Sequence, residues 1–202
     1  MESLKIRGLR CGEPGGRSPD WRLVLALSAM VALLPAVRAV AAEGAELQLE
    51  IWKSQHRMEL RRGAELLREF DVAVGLVPEG TKQRRGDKRT PVGDYYVAEK
   101  HRSGRFHRFL GISYPNIDDA DRAYDTGLIS AGEWAGIFAA IADGDEPASG
   151  TQLGGRIGIH GYGPRPYIPA LDWTDGCIAV SNEDAEYLYT TVPVGTRVRI
   201  HD

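Results

Sequence analysis

Two side chains in the C-terminal third of the chain could work together in catalysis: the thiol of Cys177 and the imidazole of His160. A thiol beside an imidazole can hand over its proton and become a thiolate, the nucleophilic form of cysteine. Ile159 precedes His160 and Ile178 follows Cys177. If both segments are strands, the isoleucines face the core while the thiol and the imidazole face away from it. Taken alone, the spacing favours a strand-end histidine that bonds only to backbone.

Glycines accompany both residues and suit backbone that must bend or come close to a substrate. Gly161 follows His160 and permits a sharp turn there. Gly176 precedes Cys177 and lets the backbone approach a reacting carbonyl. The N–H groups of Gly176 and Cys177 could then stabilise an oxyanion. These residue types indicate nucleophilic catalysis on a carbonyl.

Metal binding is not indicated by the spacing of the metal-ligating residues. Cys177 and the histidines form no C-x-x-C or H-x-x-x-H pair, as a zinc site would need. The histidines are His56, His101, His107, His160 and His201. We therefore expect no metal site and no other cofactor.

The composition is that of one globular domain with a leader. The chain has 202 residues, 43% hydrophobic and 26% charged, and a net charge of −3. These values argue against disorder and against a multi-span membrane protein, and they give no reason to expect nucleic acid as a partner.

The stretch from Lys82 to Arg108 is basic although the chain as a whole is acidic, since it contains nine basic and three acidic residues. It is either a solvated loop and strand edge or a basic rim that attracts a carboxylate-rich ligand.

Residues 1–41 have the features of a secretory signal peptide. A basic segment precedes the apolar run from Leu23 to Val37, and the small-x-small sequence Ala39-Val40-Ala41 follows. The run has fifteen residues, fewer than the roughly 20 of a membrane-spanning helix; an uncleaved N-terminal anchor is the alternative. We expect an exported protein of the periplasm or cell envelope, which contacts the membrane only if this segment is retained. Cleavage would leave Cys177 as the one cysteine: a reactive thiol, an intermolecular bridge or a buried inert residue.

Apolar patterning predicts a mostly β domain with two or three short helices. Strand patterns separated by glycine and proline occur at residues 47–51, 70–74, 95–97, 157–159 and 198–200. They read as half-buried strands of an antiparallel sheet. A helix is predicted after Ser130, which forms a capping box with Glu133; its inward face would be Trp134, Ile137, Phe138 and Ile141. Another is predicted after Ser181, with inward residues Ala185, Leu188 and Val192.

The order of motifs along the chain resembles a known family. His160-Gly161 is followed, after a spacer, by Thr174-Asp175-Gly176-Cys177-Ile178-Ala179. This is similar to the active-site signature of the L,D-transpeptidase catalytic domain of the YkuD type, in which His-Gly precedes Ser/Thr-His-Gly-Cys-Ile-Arg. The segment from Thr90 to Tyr95 resembles the family's Thr-Pro-x-Gly-x-Phe. The resemblance covers about residues 47–201 and implies that family's β-sandwich-like catalytic fold.

The resemblance also implies an enzyme of cell wall biogenesis and cell shape, with peptidoglycan stem peptides as substrates. In the family, the cysteine attacks the third residue of a tetrapeptide stem, D-alanine leaves, and a second amine resolves the thioester. By position, Cys177 is the nucleophile and His160 the proton donor and acceptor. The Gly161 carbonyl would orient His160, and the Gly176 amide would serve the oxyanion. The expected substrate-binding residues are Arg165, Tyr162, Thr174 and Asp175.

Two positions depart from the family's signature. Asp175 stands where most members have histidine, and Ala179 where many have arginine. Arg165, in the loop between the two motifs, is expected to supply the missing positive charge. The final reaction stays open between transpeptidation and hydrolysis, as an L,D-carboxypeptidase or another cell-wall cysteine hydrolase or amidase. A catalytically silent wall-binding module is a further alternative.

Overall fold

The computed structural model describes residues 46–202. The predicted signal peptide, residues 1–41, and its alternative as an N-terminal anchor lie outside the described residues. Within residues 46–202, every helix falls short of the length and apolar character that crossing a membrane requires.

Eight strands form one mixed sheet in the order β3-β2-β1-β8-β4-β5-β6-β7. The strands are β1 (Leu47–Trp52), β2 (Arg57–Arg62), β3 (Glu65–Asp71), β4 (Gly93–Ser103), β5 (His107–Ile112), β6 (Gly158–Gly161), β7 (Ile178–Val180) and β8 (Arg197–His201). The mostly β fold class is confirmed, but the sheet is mixed rather than antiparallel as predicted. β1 pairs with β8 and β6 with β7 in parallel. Parallel neighbours need a long crossover connection, and the long stretches of chain between these strands provide it.

The two ends of the strand order meet, so that the sheet folds back on itself. After β3, Ala73 exchanges two backbone hydrogen bonds with Ala179 of β7, with N···O distances of 2.9 and 2.8 Å. Gly75 forms a further bridge to Thr174. The enclosed core combines inward residues of both halves of the sheet with α3 residues: Leu49, Ile51, Val72, Val74, Val97, Ile112, Ile159, Ile178, Val180, Leu188, Val198 and Ile200.

The described residues contain three α-helices: α1 (Ile117–Asp125), α2 (Ala131–Asp143) and α3 (Asn182–Thr191). The predicted capping box of Ser130 and Glu133 is present at the start of α2, and Gly144 ends that helix with a left-handed φ of 78°. The inward residues predicted for α3 are buried. Phe138, predicted to face inward, is 47% exposed, because Ile137 is the residue of α2 that reaches its small core.

α1 and α2 lie between β5 and β6 and have an apolar cluster of their own, which includes Ile129 and Leu153. α1 and α2 belong to a helical insertion between β5 and β6, and the end of this insertion is hydrogen-bonded to the loop before β4. The Arg85 guanidinium donates to the carbonyl oxygens of Ser149 and Thr151, both at 2.8 Å. These hydrogen bonds fix the position of the chain segment that leads from α2 to β6.

The loop before β4 packs closely against the strand extension after β3. The Gly75 amide donates to Thr90 Oγ1 at 2.9 Å. A Cβ at Gly75 would lie 2.2 Å from the carbonyl oxygen of Lys88, closer than any real contact. This backbone approach requires a glycine although the φ of Gly75 is not in the left-handed region.

Gly75→Ala should therefore lower the free energy of unfolding by about 2 to 4 kcal/mol, because backbone must move to admit the methyl group. Gly136→Ala is the matched control, since Gly136 lies inside α2 with open space around its Cα. That change should raise the free energy of unfolding by about 0.5 to 1 kcal/mol. Urea denaturation measures both, and equal effects of the two substitutions would contradict the close approach at Gly75.

Candidate active site

The parallel pairing of β6 with β7 sets the relation of the two candidate residues. Ile159 pairs with Ile178 and His160 with Ala179. Continuing this register by one residue places Cys177 opposite Gly158. Because side chains alternate along a strand, Cys177 and His160 then lie on the same face of the two strands, away from the core.

The His160 ring is enclosed by aromatic side chains and is 1% exposed. Its centroid lies 4.1 Å from Phe106 and 6.1 Å from Phe109, in stacked geometry, and 5.8 Å from Trp173, edge to face. Nδ1 lies 2.8 Å from the carbonyl oxygen of Gly161. Because a carbonyl only accepts, Nδ1 carries the hydrogen, and the lone pair of the neutral ring is on Nε2.

Burial is the main reason that the imidazole is neutral. It lowers the pKa of His160 to about 4, against the opposing effect of the Gly161 hydrogen bond. The positive charges of Arg105 and Arg165 add to the lowering. A neutral ring with a free Nε2 lone pair can accept a proton.

Cys177 is half-buried, immediately before β7. Burial raises the pKa of its thiol to about 11; the Gly158 amide opposes this, and the Asp175 carboxylate adds to it. Among the described residues, the hydrogen bond of Sγ goes to the carbonyl oxygen of Arg156 at 3.6 Å rather than to His160. At neutral pH the site therefore holds a protonated thiol and a neutral imidazole.

The turn before Cys177 is held by Thr174. The Thr174 hydroxyl donates to the Cys177 carbonyl oxygen at 2.7 Å and accepts from the Gly176 amide at 3.1 Å. Gly176 has a φ of +127°, and a Cβ there would lie 2.6 Å from the carbonyl oxygen of Arg89. In this conformation the amide of Gly176, which was predicted to serve an oxyanion, donates its hydrogen to Thr174 instead. The Cys177 amide has no acceptor among the described residues.

The four predicted substrate-binding residues occupy different surroundings. The exposed guanidinium of Arg165 lies over the Trp173 ring, 4.4 Å from its centroid, and Asp175 is exposed. The buried Tyr162 donates its hydroxyl to the carbonyl oxygen of Ile168 at 2.8 Å, and the buried Thr174 holds the turn. Of these four side chains, those of Arg165 and Asp175 are therefore exposed to solvent.

Sequence reasoning missed the aromatic residues around His160. Phe106, Phe109 and Trp173 are distributed over two segments, and nothing in their spacing relates them to His160. Ala179 is fully buried and packs with Ala73. In residues 46–202, no group of His, Cys, Asp and Glu side chains could hold a metal ion.

The burial of His160 predicts a pH dependence of stability. The pKa is about 4 in the folded state and about 6.5 in the unfolded chain, so between these values the unfolded state binds more protons and stability falls as pH falls. From about pH 7 to about pH 4.5 the loss should be about 2 to 3 kcal/mol.

Urea denaturation of the protein and of His160→Gln at both pH values measures this contribution. The protein should lose about 2 to 3 kcal/mol more than the variant. His101→Gln is the control, because that ring is half exposed; this variant should still show the loss of stability that His160 causes. Parallel behaviour of the protein and His160→Gln would show that His160 does not titrate abnormally.

The sequence and the fold of this chain were compared with those of known proteins. The family model of the L,D-transpeptidase catalytic domain, YkuD, matches residues 48–200. A search of curated protein sequences gives no match.

Several solved structures have a similar fold. The helical cell shape determining protein Pgp2 from Campylobacter jejuni is 20% identical, with a TM-score of 0.53 over 79% of this chain and 49% of that one. Bd1075 from Bdellovibrio bacteriovorus is 17% identical, with a TM-score of 0.51 over 78% and 48%. The L,D-transpeptidase from Xylanimonas cellulosilytica is 16% identical, with a TM-score of 0.49 over 78% and 61%.

At these identities the likeness concerns the fold alone, and this chain spans about half to three fifths of the length of the solved chains. The family match covers most of the chain, including the whole of the site. The chain therefore belongs to the L,D-transpeptidase catalytic domain family, the YkuD type.

Proposed function

We propose that this protein is an exported L,D-transpeptidase of the cell envelope that acts on peptidoglycan stem peptides through a Cys177 thioester. The observation that carries the proposal is the pairing of β6 with β7, which puts Cys177 and His160 on one face. Family membership and the predicted signal peptide of residues 1–41 support the substrate class and the location.

In the proposed first step, Sγ of Cys177 attacks the carbonyl carbon of the third residue of a tetrapeptide stem. The thiol proton moves to Nε2 of His160 as the C–S bond forms. The Cys177 amide, which has no acceptor among the described residues, stabilises the oxyanion. The tetrahedral intermediate then collapses, the C–N bond breaks, and His160 returns the proton to the departing amine of D-alanine.

In the second step, an amine of another stem attacks the thioester carbonyl. His160 takes a proton from that amine, the C–S bond breaks, and the Cys177 thiol is regenerated with the returned proton. The new amide joins the two peptides. Water in place of the amine would give hydrolysis by the same steps, so the acceptor decides between the two outcomes.

The pKa values explain why proton transfer and attack must be coupled. They are about 11 for Cys177 and about 4 for His160. Forming the ion pair before attack would therefore be strongly unfavourable without their mutual attraction. The proton can move cheaply only as the sulfur gives its electron pair to the substrate carbon. The nucleophile is thus activated by the bound substrate.

Arg165 is proposed to hold a carboxylate of the donor stem. It is exposed, it stacks on Trp173, and its charge reaches His160. Ala179 cannot take this role because it is buried beside Ala73. Asp175, exposed beside Cys177, is proposed to face the ammonium group of a diamino acid, and Tyr162 and Thr174 hold the loops that present these groups.

Replacing either member of the pair should remove turnover without unfolding the domain. Cys177→Ala should reduce transfer to background, because the chain outside residues 1–41 has no other cysteine. His160→Ala should lower kcat by about 10²- to 10⁴-fold, the usual contribution of a general acid and base. Mass spectrometry of purified stem peptides shows which bond breaks and whether an amine or water is added.

His201→Ala is the control for the histidine substitution, because His201 lies on β8 and pairs with Glu50. It should leave turnover within about twofold, as expected for a residue outside the chemistry. Circular dichroism confirms that each variant is folded. Turnover by folded Cys177→Ala at the rate of the unmodified protein would exclude the thioester mechanism.

A further inference from the structure

The Trp173 indole connects two parts of the candidate active site. It meets the His160 ring edge to face, with 5.8 Å between the ring centroids, and the Arg165 guanidinium lies over it, 4.4 Å from its centroid. The indole also packs against the buried cluster that contains Ala73 and Tyr162. The position of this one side chain therefore affects both the enclosure of the histidine and the place of the arginine.

The residue before Trp173 is fixed by two side-chain hydrogen bonds. Asp172 Oδ1 accepts from the backbone amide of Val74 at 2.8 Å, and Asp172 Oδ2 is bonded to Nε2 of His56 at 3.1 Å. Because a carboxylate only accepts, Nε2 of His56 carries the hydrogen. One oxygen is thus bonded to the strand extension after β3, and the other to the turn between β1 and β2.

The backbone of His56 is held in that turn from both sides. Its amide donates to the carbonyl oxygen of Lys53 at 3.1 Å, and its carbonyl oxygen accepts from the amide of Val72 at 2.9 Å. Its φ of +49° lies in the left-handed region, which glycine and asparagine adopt more readily than most residues. The imidazole therefore projects from a fixed backbone, and the shorter residues that this backbone suits would not span the distance to Asp172.

Main-chain hydrogen bonds continue this attachment toward the nucleophile. The carbonyl oxygen of Val74 accepts from the amides of Trp173 and Thr174 at 3.3 and 3.2 Å, and the Leu76 amide donates to the Thr174 carbonyl oxygen at 3.0 Å. The bond from the Val74 amide to the carboxylate of Asp172 is the shortest of these four. Asp172 is therefore the point at which the loop of residues 163–171 is fastened before it continues into the turn of the nucleophile.

We propose that His56 and Asp172 form a positioning pair for the active site, which holds Trp173 against His160 and thereby keeps Arg165 where a donor carboxylate binds. The inference rests on the proposed function, because the binding of the donor by Arg165 is part of it. The orientation of the His160 ring depends instead on the Gly161 carbonyl oxygen. The pair should therefore influence donor binding more than the chemical steps.

His56→Asn tests the pair, since asparagine suits a left-handed backbone but is too short to donate to Asp172. It should raise the KM for acylation by a tetrapeptide donor about tenfold, the loss of one hydrogen bond from Arg165 to a carboxylate, and leave kcat within about threefold. His56→Gln is the conservative variant. Its longer amide can donate to Asp172, and it should keep the donor KM within about threefold of that of the unmodified protein.

His201→Asn is the matched control, because His201 is also paired with a carboxylate. Its Nε2 is bonded to Glu50 at 2.7 Å. The side chains of His201 and Glu50 are 37% and 15% exposed, and those of His56 and Asp172 are 30% and 15% exposed. His201 stacks on Trp52 instead of approaching the site. Its loss should leave the donor KM and kcat within about twofold, at a temperature at which all variants are folded.

Nuclear magnetic resonance gives a readout that does not require turnover. Nuclear Overhauser contacts should join the Trp173 indole to the His160 ring in the unmodified protein, in His56→Gln and in His201→Asn. They should weaken in His56→Asn and in Asp172→Ala. Combining these two substitutions should raise the donor KM no further than Asp172→Ala alone, because both act through one contact.

The outcomes are distinguishable. An unchanged donor KM in His56→Asn overturns the positioning role and leaves the thioester mechanism intact. A raised donor KM without weaker contacts between Trp173 and His160 also overturns it, since the effect would not pass through Trp173. Absence of acylation in the unmodified protein overturns the proposed function, whereas the Overhauser contacts test the hold on Trp173 independently of that function.

Discussion

The hydrogen bond from His160 Nδ1 to the Gly161 carbonyl oxygen is the polar contact that orients the ring inside an aromatic enclosure. A buried imidazole without it would leave a donor unsatisfied, at a cost of about 1 to 3 kcal/mol. The bond selects one tautomer and directs the Nε2 lone pair away from Gly161. It also requires Gly161 to stay in place, and a Cβ there would come within 2.5 Å of Asn182 Oδ1. The close packing of β6 against the start of α3 therefore supports the orientation of the His160 ring.

A neutral resting pair suits the exported form proposed above, in which Cys177 is the one cysteine outside residues 1–41. Oxidation and disulfide exchange proceed through the thiolate. A thiol with a pKa of about 11 is almost wholly protonated near neutral pH, so it resists both reactions until a substrate arrives. The same burial that protects Cys177 makes its activation depend on His160. In the proposed mechanism, the protection of Cys177 and its dependence on His160 thus have one physical origin, the burial that shifts both pKa values.

The sequence predicted the elements that depend on local patterns. The apolar alternation around Ile159 predicted β6, and Ser130 with Glu133 predicted the start of α2. The parallel direction of the β6–β7 pair was not predictable from local patterns. Nor was the bridge between Ala179 and Ala73, because these residues are more than a hundred positions apart.

The same limit applies to the site. The sequence indicated that Gly176 belongs to the site. It did not predict the hydrogen-bond acceptor of the Gly176 amide, because that acceptor is set by the rotamer of Thr174. The aromatic enclosure of His160 joins residues from β5, from the turn before it and from the segment before β7. Local sequence identifies the reactive groups, whereas their protonation states follow from burial, which only the assembled fold defines.

The pH dependence of Cys177 alkylation tests the neutral resting pair most directly. Iodoacetamide modification is followed by peptide mass spectrometry, so that Cys177 is observed separately from Cys11. A thiol with a pKa of about 11 should be alkylated at a rate that rises about tenfold for each pH unit between about pH 6 and about pH 10. The rate should reach no plateau in this range. A plateau with a midpoint below about pH 7 would mean that Cys177 and His160 already form a thiolate–imidazolium pair at rest, and would contradict activation of the thiol by the bound substrate.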